Sequence, residues 1–258
     1  MMSLPRWVIL HVPHDATCIP PEVRGQFVLD DGALSQEIIA MTDHCTLGLF
    51  ATGVPPDQVV RAPVSRLVVD VERFEDDAME AMSVRGMGVV YTRTHDLKVL
   101  RYPISEEQRQ ALIATWYRPH HDALALATGR ALQEFGRALV IDCHSFPSRP
   151  LRYELNQRQQ RPQICIGTDA FHTPPALAAA LVSAFDGAGF HVALNTPFSG
   201  ALVPSQYFGH DSRVAAAMIE VRRDLYLDEA TGVQRGNFVS IARTIRECLS
   251  VALQALAK

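Results

Sequence analysis

The chain has 258 residues and a mass of 28.5 kDa, with 24 Lys and Arg against 28 Asp and Glu, a formal charge of −4 and a pI near 6.2. At 48% hydrophobic and 20% charged residues it has the composition of a globular enzyme with chain enough for a sizeable core, which excludes a disordered polymer. The mildly acidic balance speaks against nucleic acid as the main partner, because phosphate binding needs a basic footprint.

Five cysteines, Cys18, Cys45, Cys143, Cys165 and Cys248, include no CxxC pair. An odd count in a chain of this size predicts free thiols in a reducing cytoplasm. The opening apolar run is too short for a signal h-region, and no stretch of about 18 apolar residues predicts a membrane span.

In chain order, Trp7–Val12 reads as a buried strand whose end carries His14. Ser35–Phe50 has helical apolar spacing and is followed by Gly53 and two prolines. Val59–Arg61, Leu67–Val71 and Met87–Tyr91 read as short strands. Ser105, with Gln108 three positions on, predicts a capping box opening a helix to about Glu134, bent near Pro119. Arg137–Ile141 reads as a strand ended by Asp142, Cys143 and His144, and Ser145–Pro162 as a loop of the long kind that is often functional. Then follow a strand at Ile164–Gly167, a helix at Pro174–Phe185 and a strand at Val192–Leu194. A Pro/Gly loop, Asn195–Gly209, precedes an apolar strand at Val214–Val221 and a last helix from about Asn237 to Ala257. The alternation predicts one α/β domain over residues 1–258, with a central mixed, mostly parallel sheet flanked by helices.

In such sheets ligands gather beyond the C-terminal strand ends. His14, Asp142 with His144, and Glu220 stand at three of them, and His, Asp and Glu side chains are what a catalytic zinc needs, with a free carboxylate to act as general base. A single His at a strand end is more often a hydrogen-bonded structural group, and Glu220 could merely pair with Arg222. His95, His120, His172 and His191 lack ligand context, and Cys143, pointing away from its neighbour His144, is expected in the core. The chain has no H-E-x-x-H helix, no G-x-S-x-G elbow, and neither a Walker loop nor a G-x-G-x-x-G fingerprint. Arg66, Arg73, Arg222 and Arg223 are candidate carboxylate clamps. Asn195 is a candidate substrate amide, or a turn residue.

These segments resemble the N-formylglutamate amidohydrolase family along nearly the whole chain. HVPHDATCIPPEVR resembles P-H-S/A-G-x-x-I/V-P; MTDHCTLGLF resembles D-x-D-W-H-x-x-x-L-Y/F; SRLVVDVERF resembles S-R-Y-V-x-D-L-N-R. TWYRPHHDAL resembles Y-W-x-P-Y-H-x-x-L, and VIDCHSFPS resembles D-x-H-S-I-P-S. LNTPFSGALVPSQYFG with IEVRRDLYLDE resembles N-x-P-F-x-G-G-x-I/V followed by L-E-I/L/M-x-R/Q-x-x-Y.

The resemblance implies a zinc-carboxypeptidase-like fold and a zinc-dependent hydrolase of small N-acyl amino acids. Such an enzyme would yield formate and glutamate, a step of one histidine-degradation route. It implies His14, Asp43 and His144 as metal ligands, with Thr17 where the carboxypeptidase pattern has its acid and His44 as the rival to Asp43. It further implies Glu220 as general base and Arg66, Arg73 and Asn195 as substrate contacts, with Arg73, helped by Arg66, on the α-carboxylate and Arg222 the next candidate. The sequence departs from the pattern at Glu72 (Asn), at His44-Cys45 (Trp-His) and at Gly200-Ala201 (Gly-Gly). These departures leave metal hydrolysis standing and leave open an outlier acting on another N-acyl amino acid or small amide; the alternative from a different class is a metal-free binding protein on the same fold.

Overall fold

Two nine-residue strands set the architecture. In the computed structural model, which describes residues 4–255, β3 (Ala138–Phe146) and β6 (Val214–Arg222) run parallel in full register, from Ala138 beside Val214 to Phe146 beside Arg222. β3 is buried along its whole length, as a central parallel strand covered on both faces must be. β1 (Val8–Val12) pairs parallel with β3, and β2 (Val59–Arg61) with β1. On the far side β4 (Ile164–Gly167) runs antiparallel to β6, and β5 (Val192–Leu194) parallel to β4. The order is β2-β1-β3-β6-β4-β5, the expected mixed, mostly parallel sheet of a single α/β domain. β2, β4 and β5 fall on the expected residues.

The two-residue period decides which side chains meet. Leu10, Val12, Leu139, Ile141, Cys143, Ile219 and Val221 belong to one core, with α3 (Thr46–Phe50), α6 (Pro175–Gly187) and α7 (Phe238–Ala255). Cys143 is therefore a core residue, and all five cysteines are free. Ile9, Val140, Val214 and Ala216 belong to the opposite core, under α5 (Arg118–Phe135). Continuing along that second face, the same period brings up His11, Asp142, His144, Met218 and Glu220. The polar site is the continuation of the α5-facing apolar rows.

Several elements differ from expectation for identifiable reasons. The strands read at Leu67–Val71 and Met87–Tyr91 are irregular segments. Their side chains are buried in a third cluster with Phe27, Leu34, Leu112 and Tyr117, which produced the strand-like pattern. Their carbonyls are taken by a side chain instead of a ladder: buried Arg101 donates to Leu67, Val68 and Tyr91 carbonyls. The helix read at Ser35–Phe50 begins earlier, as α2 (Asp31–Met41) capped by the Asp30 carboxylate, and breaks before α3. At the break the Asp43 N–H donates to the His14 carbonyl and Cys45 has φ 66°. A preceding short α1 spans Pro21–Arg24.

The Ser105–Gln108 capping box is present. The helix it opens is α4 (Glu106–Leu112), a π turn at Ile113–Tyr117 and then α5, with Pro119 in the first turn of α5. Proline has no N–H to give, and a π turn is one way a helix absorbs a local break in its ladder. β3 runs past Ile141, so Asp142, Cys143 and His144 lie within the strand; the long β6 partner supplies the ladder that extends it. Residues 256–257, at the end of the expected last helix, lie outside the described residues. No helix among the described residues is long and apolar enough to cross a membrane.

Arg101→Met retains the packing of the side-chain stem but leaves the buried carbonyls of Leu67, Val68 and Tyr91 without a donor. At about 1–3 kcal/mol for a buried polar group left unmade, the variant should unfold at markedly lower denaturant. A midpoint within error of wild type would contradict this account of the irregular segment.

Candidate metal centre and cavity

Four elements deliver the site. His14 follows β1, Asp43 sits in the break between α2 and α3, His144 lies in β3 and Glu220 lies beside it in β6. One ligand-capable atom from each of His14, Asp43 and His144 lies within 4.8 Å of the other two, all three residues being buried. Asp43 Oδ2 is 3.1 Å from His144 Nδ1 and 3.7 Å from His14 Nδ1. Tetrahedral zinc with bonds of about 2.0–2.2 Å places neighbouring ligand atoms roughly 3.3–3.6 Å apart, so the spacing fits.

The rings are aimed by their outer nitrogens. His14 Nε2 lies 2.8 Å from Asp70 Oδ1, and His144 Nε2 lies 3.0 Å from Asp142 Oδ1. A carboxylate behind each imidazole takes the proton on one nitrogen and turns the other, as a lone pair, toward the shared point. His14 Nδ1 is buried there with no hydrogen-bond partner, an orphan that a cation would satisfy.

Asp43 is fixed from the other side by Arg223, whose Nη2 donates to Asp43 Oδ1 at 2.7 Å. Arg223 also bonds Ser145 and the Ala40 carbonyl. Burial alone would raise the Asp43 carboxyl, but contacts with His14, His144 and Arg223 outweigh it and hold it well below the usual range. His44, the rival ligand, is outside the cluster and packs its ring against Gly232.

Glu220 stands directly beside His144 in the sheet register. It is 7% exposed, and its Oε2 has no hydrogen-bond partner. Burial pushes its carboxyl up to about 8, with the neighbouring His144 opposing. It does not pair with Arg222, which bonds Asp224 and the Arg161 carbonyl.

A cavity of about 310 Å³ opens over these groups, a size suited to a small ligand. His14, Asp43, Glu72, His144 and Glu220 lie in its wall, together with Arg66, Arg73 and Arg223. The loop after β3 covers it with Tyr153 and Leu155, and the loop after β5 with Phe198. The second loop crosses β4 so closely at Gly167 that any side chain there would meet the Gly200 carbonyl. Arg66 donates to Asp70 at 2.8 Å, while Arg73 is 3.6 Å from Asp70 and 3.7 Å from Glu80, its Nε without a hydrogen-bond partner.

Two candidates stand elsewhere. Arg222 is outside the cavity wall, and it is Arg223 that reaches in. Strand alternation had put Arg222 on the face of Glu220, but β6 ends at Arg222 and Arg223 begins a 3-10 turn. Asn195 is exposed, has φ 53° and bonds Thr168 through both amide atoms, which is turn chemistry. Sequence reasoning missed His11 and the role of Glu72. Glu72 faces His11 and His144 at 3.3 Å each. The one signal for His11 was its place on the face that carries Ile9, in register with Asp142.

The comparisons with known proteins agree with this architecture. The family model described as N-formylglutamate amidohydrolase matches residues 7–227. An N-formylglutamate deformylase of Pseudomonas putida is 28% identical over 177 residues, a match that spans 66% of this chain and 64% of that relative's length. The crystal structure of an N-formylglutamate amidohydrolase from Ralstonia eutropha JMP134 superposes with a TM-score of 0.81 at 22% identity, covering 97% of this chain and 93% of that one. A gene product of Agrobacterium tumefaciens gives 0.70 at 22% identity, with 98% and 92% coverage.

The two adjacent arginines should separate in a stability test. Arg223→Met removes the cation from a buried carboxylate and should cost about 3–5 kcal/mol. Arg222→Met loses a partly buried pair near the surface, with side chains 20% and 33% exposed, and should cost about 1 kcal/mol. Equal losses in urea unfolding would contradict the assignment of Arg223 to Asp43.

Proposed function

This chain belongs to the N-formylglutamate amidohydrolase family, and from that premise we propose that it is a zinc-dependent hydrolase of the amide bond in N-formyl-L-glutamate or a similar small N-acyl amino acid. The products are formate, or another small acid, and the free amino acid. The observation that carries the reading is the buried, unpartnered His14 Nδ1 converging with Asp43 and His144, beside an unpartnered Glu220 carboxylate in a small-molecule cavity.

His14 Nδ1, His144 Nδ1 and Asp43 Oδ2 would hold the ion, and two imidazoles with one carboxylate are a donor set zinc accepts while leaving a position free. When bound, such a cation supplies Lewis acidity toward the amide carbonyl and lowers the pKa of a water. The chain's own residues do the rest. Asp70 and Asp142 keep the two rings in the tautomer that offers Nδ1. Glu220 Oε2 takes a proton from the attacking water and returns it to the departing amine. Burial raises this carboxyl and a nearby cation lowers it, and the two opposing effects bring it toward neutrality. Arg73, with Arg66 beside it, receives the substrate carboxylate. Glu72 leaves Arg73 available because it is turned on His11 and His144. The loops bearing Tyr153 and Phe198 exclude water from the bound amide.

Glu220→Gln keeps size and removes the base. It should retain metal and substrate binding and lose at least about 100-fold in kcat on N-formylglutamate or the best N-acyl amino acid found by screening. A metal-replete variant with near-normal kcat would assign the proton to another group.

Arg73→Lys keeps the charge but not the two-pronged donor geometry. It should raise KM at least about tenfold with metal content unchanged, the order expected where a charge-assisted pair loses about 1.4 kcal/mol or more. An unchanged KM would place the clamp elsewhere in the cavity.

A further inference from the structure

One imidazole ring away from the first cluster, the same sheet face gathers a second set of donors. His11 Nδ1 lies 2.8 Å from Asp142 Oδ1 and 3.3 Å from Glu72 Oε1. One ligand-capable atom from each of these three residues falls within 4.8 Å of the others. His11 is fully buried and Asp142 nearly so, while the Glu72 side chain is 17% exposed and lines the cavity. Without an ion the 2.8 Å contact is a hydrogen bond, and the 3.3 Å contact matches the roughly 3.3–3.6 Å between adjacent ligands on a small divalent ion.

Each donor is also held from behind, so that one atom faces the shared point. His11 Nε2 lies 2.7 Å from His120 Nε2 at the start of α5. The Leu202 N–H donates to Asp142 Oδ2 at 3.2 Å and leaves Oδ1 pointing inward. Glu72 Oε2 lies 3.3 Å from His144 Nε2, while the buried Oε1 has no hydrogen-bond partner. Outer contacts of this kind are what orient metal ligands.

Charge points the same way. Arg66 and Arg73 lie on Asp70, and Arg223 lies on Asp43. Among the described residues no arginine or lysine pairs with Glu72 or Asp142, whose ion-pair partners are His11 and His144 alone. The negative charge of these two largely buried carboxylates is met only by imidazoles, and one divalent ion between them would take the place of the imidazole protons.

We infer that His11 Nδ1, Asp142 Oδ1 and Glu72 Oε1 form a second divalent-cation site, taking ions of the zinc, cobalt or manganese class. It is separate from the His14–Asp43–His144 cluster and joined to it by one ring. His144 turns Nδ1 to the first cluster and donates through Nε2 to the carboxylates of the second. An ion in the second site draws negative charge away from that hydrogen bond and weakens His144 as a donor to the first. By reciprocity, filling either site weakens binding at the other.

The test is a titration of the chelator-treated full chain with Zn²⁺, read by calorimetry, and with Co²⁺, read by its visible absorption. Wild type should take two equivalents. Glu72→Gln and His11→Gln should each weaken one equivalent by more than the roughly 10–100-fold that loss of an outer contact costs. His14→Ala should lose the other equivalent and keep this one. Far-ultraviolet circular dichroism and thermal melting identify any variant that has lost the fold, in which case the other substitution at this site and the wild-type stoichiometry decide. A wild-type protein that binds one equivalent or none, with Glu72→Gln and His11→Gln unchanged, overturns the second site. One equivalent that survives His14→Ala and disappears in Glu72→Gln would instead overturn the first cluster and leave this site standing.

Discussion

Asp43, Asp70, Glu72, Asp142 and Glu220 are gathered on one face of a sheet where water scarcely reaches, and the electrostatics of holding them there governs the construction of the site. An isolated buried carboxylate is costly, so each must be neutralised, paired or kept protonated. Arg223 takes Asp43, and Arg66 with Arg73 takes Asp70. Glu220 has no cation in hydrogen-bond contact and responds by rising to about 8, driven by burial. Glu72 and Asp142 rely on imidazoles. Burial alone would keep the His144 ring neutral, but the carboxylates of Asp142 and Glu72 outweigh it and raise the imidazole well above its ordinary value. His120, with no carboxylate in contact, is pushed down to about 2 by burial with His11 adding to the fall. Glu220, the group a hydrolase would use as its base, is the one whose charge the protein alone leaves unsettled.

The scaffold holds this arrangement because the β3–β6 ladder runs far beyond the strands beside it. Nine residues of parallel register keep His144 and Glu220 side by side, and strand alternation keeps Cys143 and Ile219 in the opposite core. The irregular stretch from residue 62 to residue 105 covers the site without a ladder of its own. Arg101 serves its carbonyls, and the Asp70 N–H is met by the Val89 carbonyl. That stretch delivers Arg66, Asp70, Glu72 and Arg73, four groups within eight residues, to positions that a regular strand, turning alternate side chains away, would not bring together.

Much of this was legible in the sequence, and the remainder was hidden for physical reasons. Strand-end placement pointed to His14, His144 and Glu220, and the family resemblance pointed to Asp43 in the helix break. The family motif sets its Arg/Gln position at Arg223, yet Arg222 was named as the candidate clamp; alternation along a strand put Arg222 on the face of Glu220, whereas β6 gives way to a 3-10 turn at Arg223. The strands read at Leu67–Val71 and Met87–Tyr91 had the right burial and the wrong backbone. Apolar pattern reports what a side chain packs on, and it is blind to a guanidinium that replaces the ladder from 33 and 34 residues away at Val68 and Leu67 and from 10 at Tyr91. His11 and Glu72 were noted only as part of a strand and as a departure from a motif. Their meeting depends on a cross-strand register and an irregular loop, neither of which local spacing encodes.

The proposed mechanism requires His14 Nδ1, His144 Nδ1 and Asp43 Oδ2 to converge on one metal ion, with Glu220 beside it and not upon it. The most direct measurement is a crystal structure of zinc-loaded protein with anomalous difference density recorded on both sides of the zinc absorption edge. An edge-dependent peak is expected about 2.0–2.2 Å from those three atoms, with Glu220 outside bonding distance. A peak ligated by His44 or Glu220 in place of Asp43, or no edge-dependent density between His14 and His144, would contradict it.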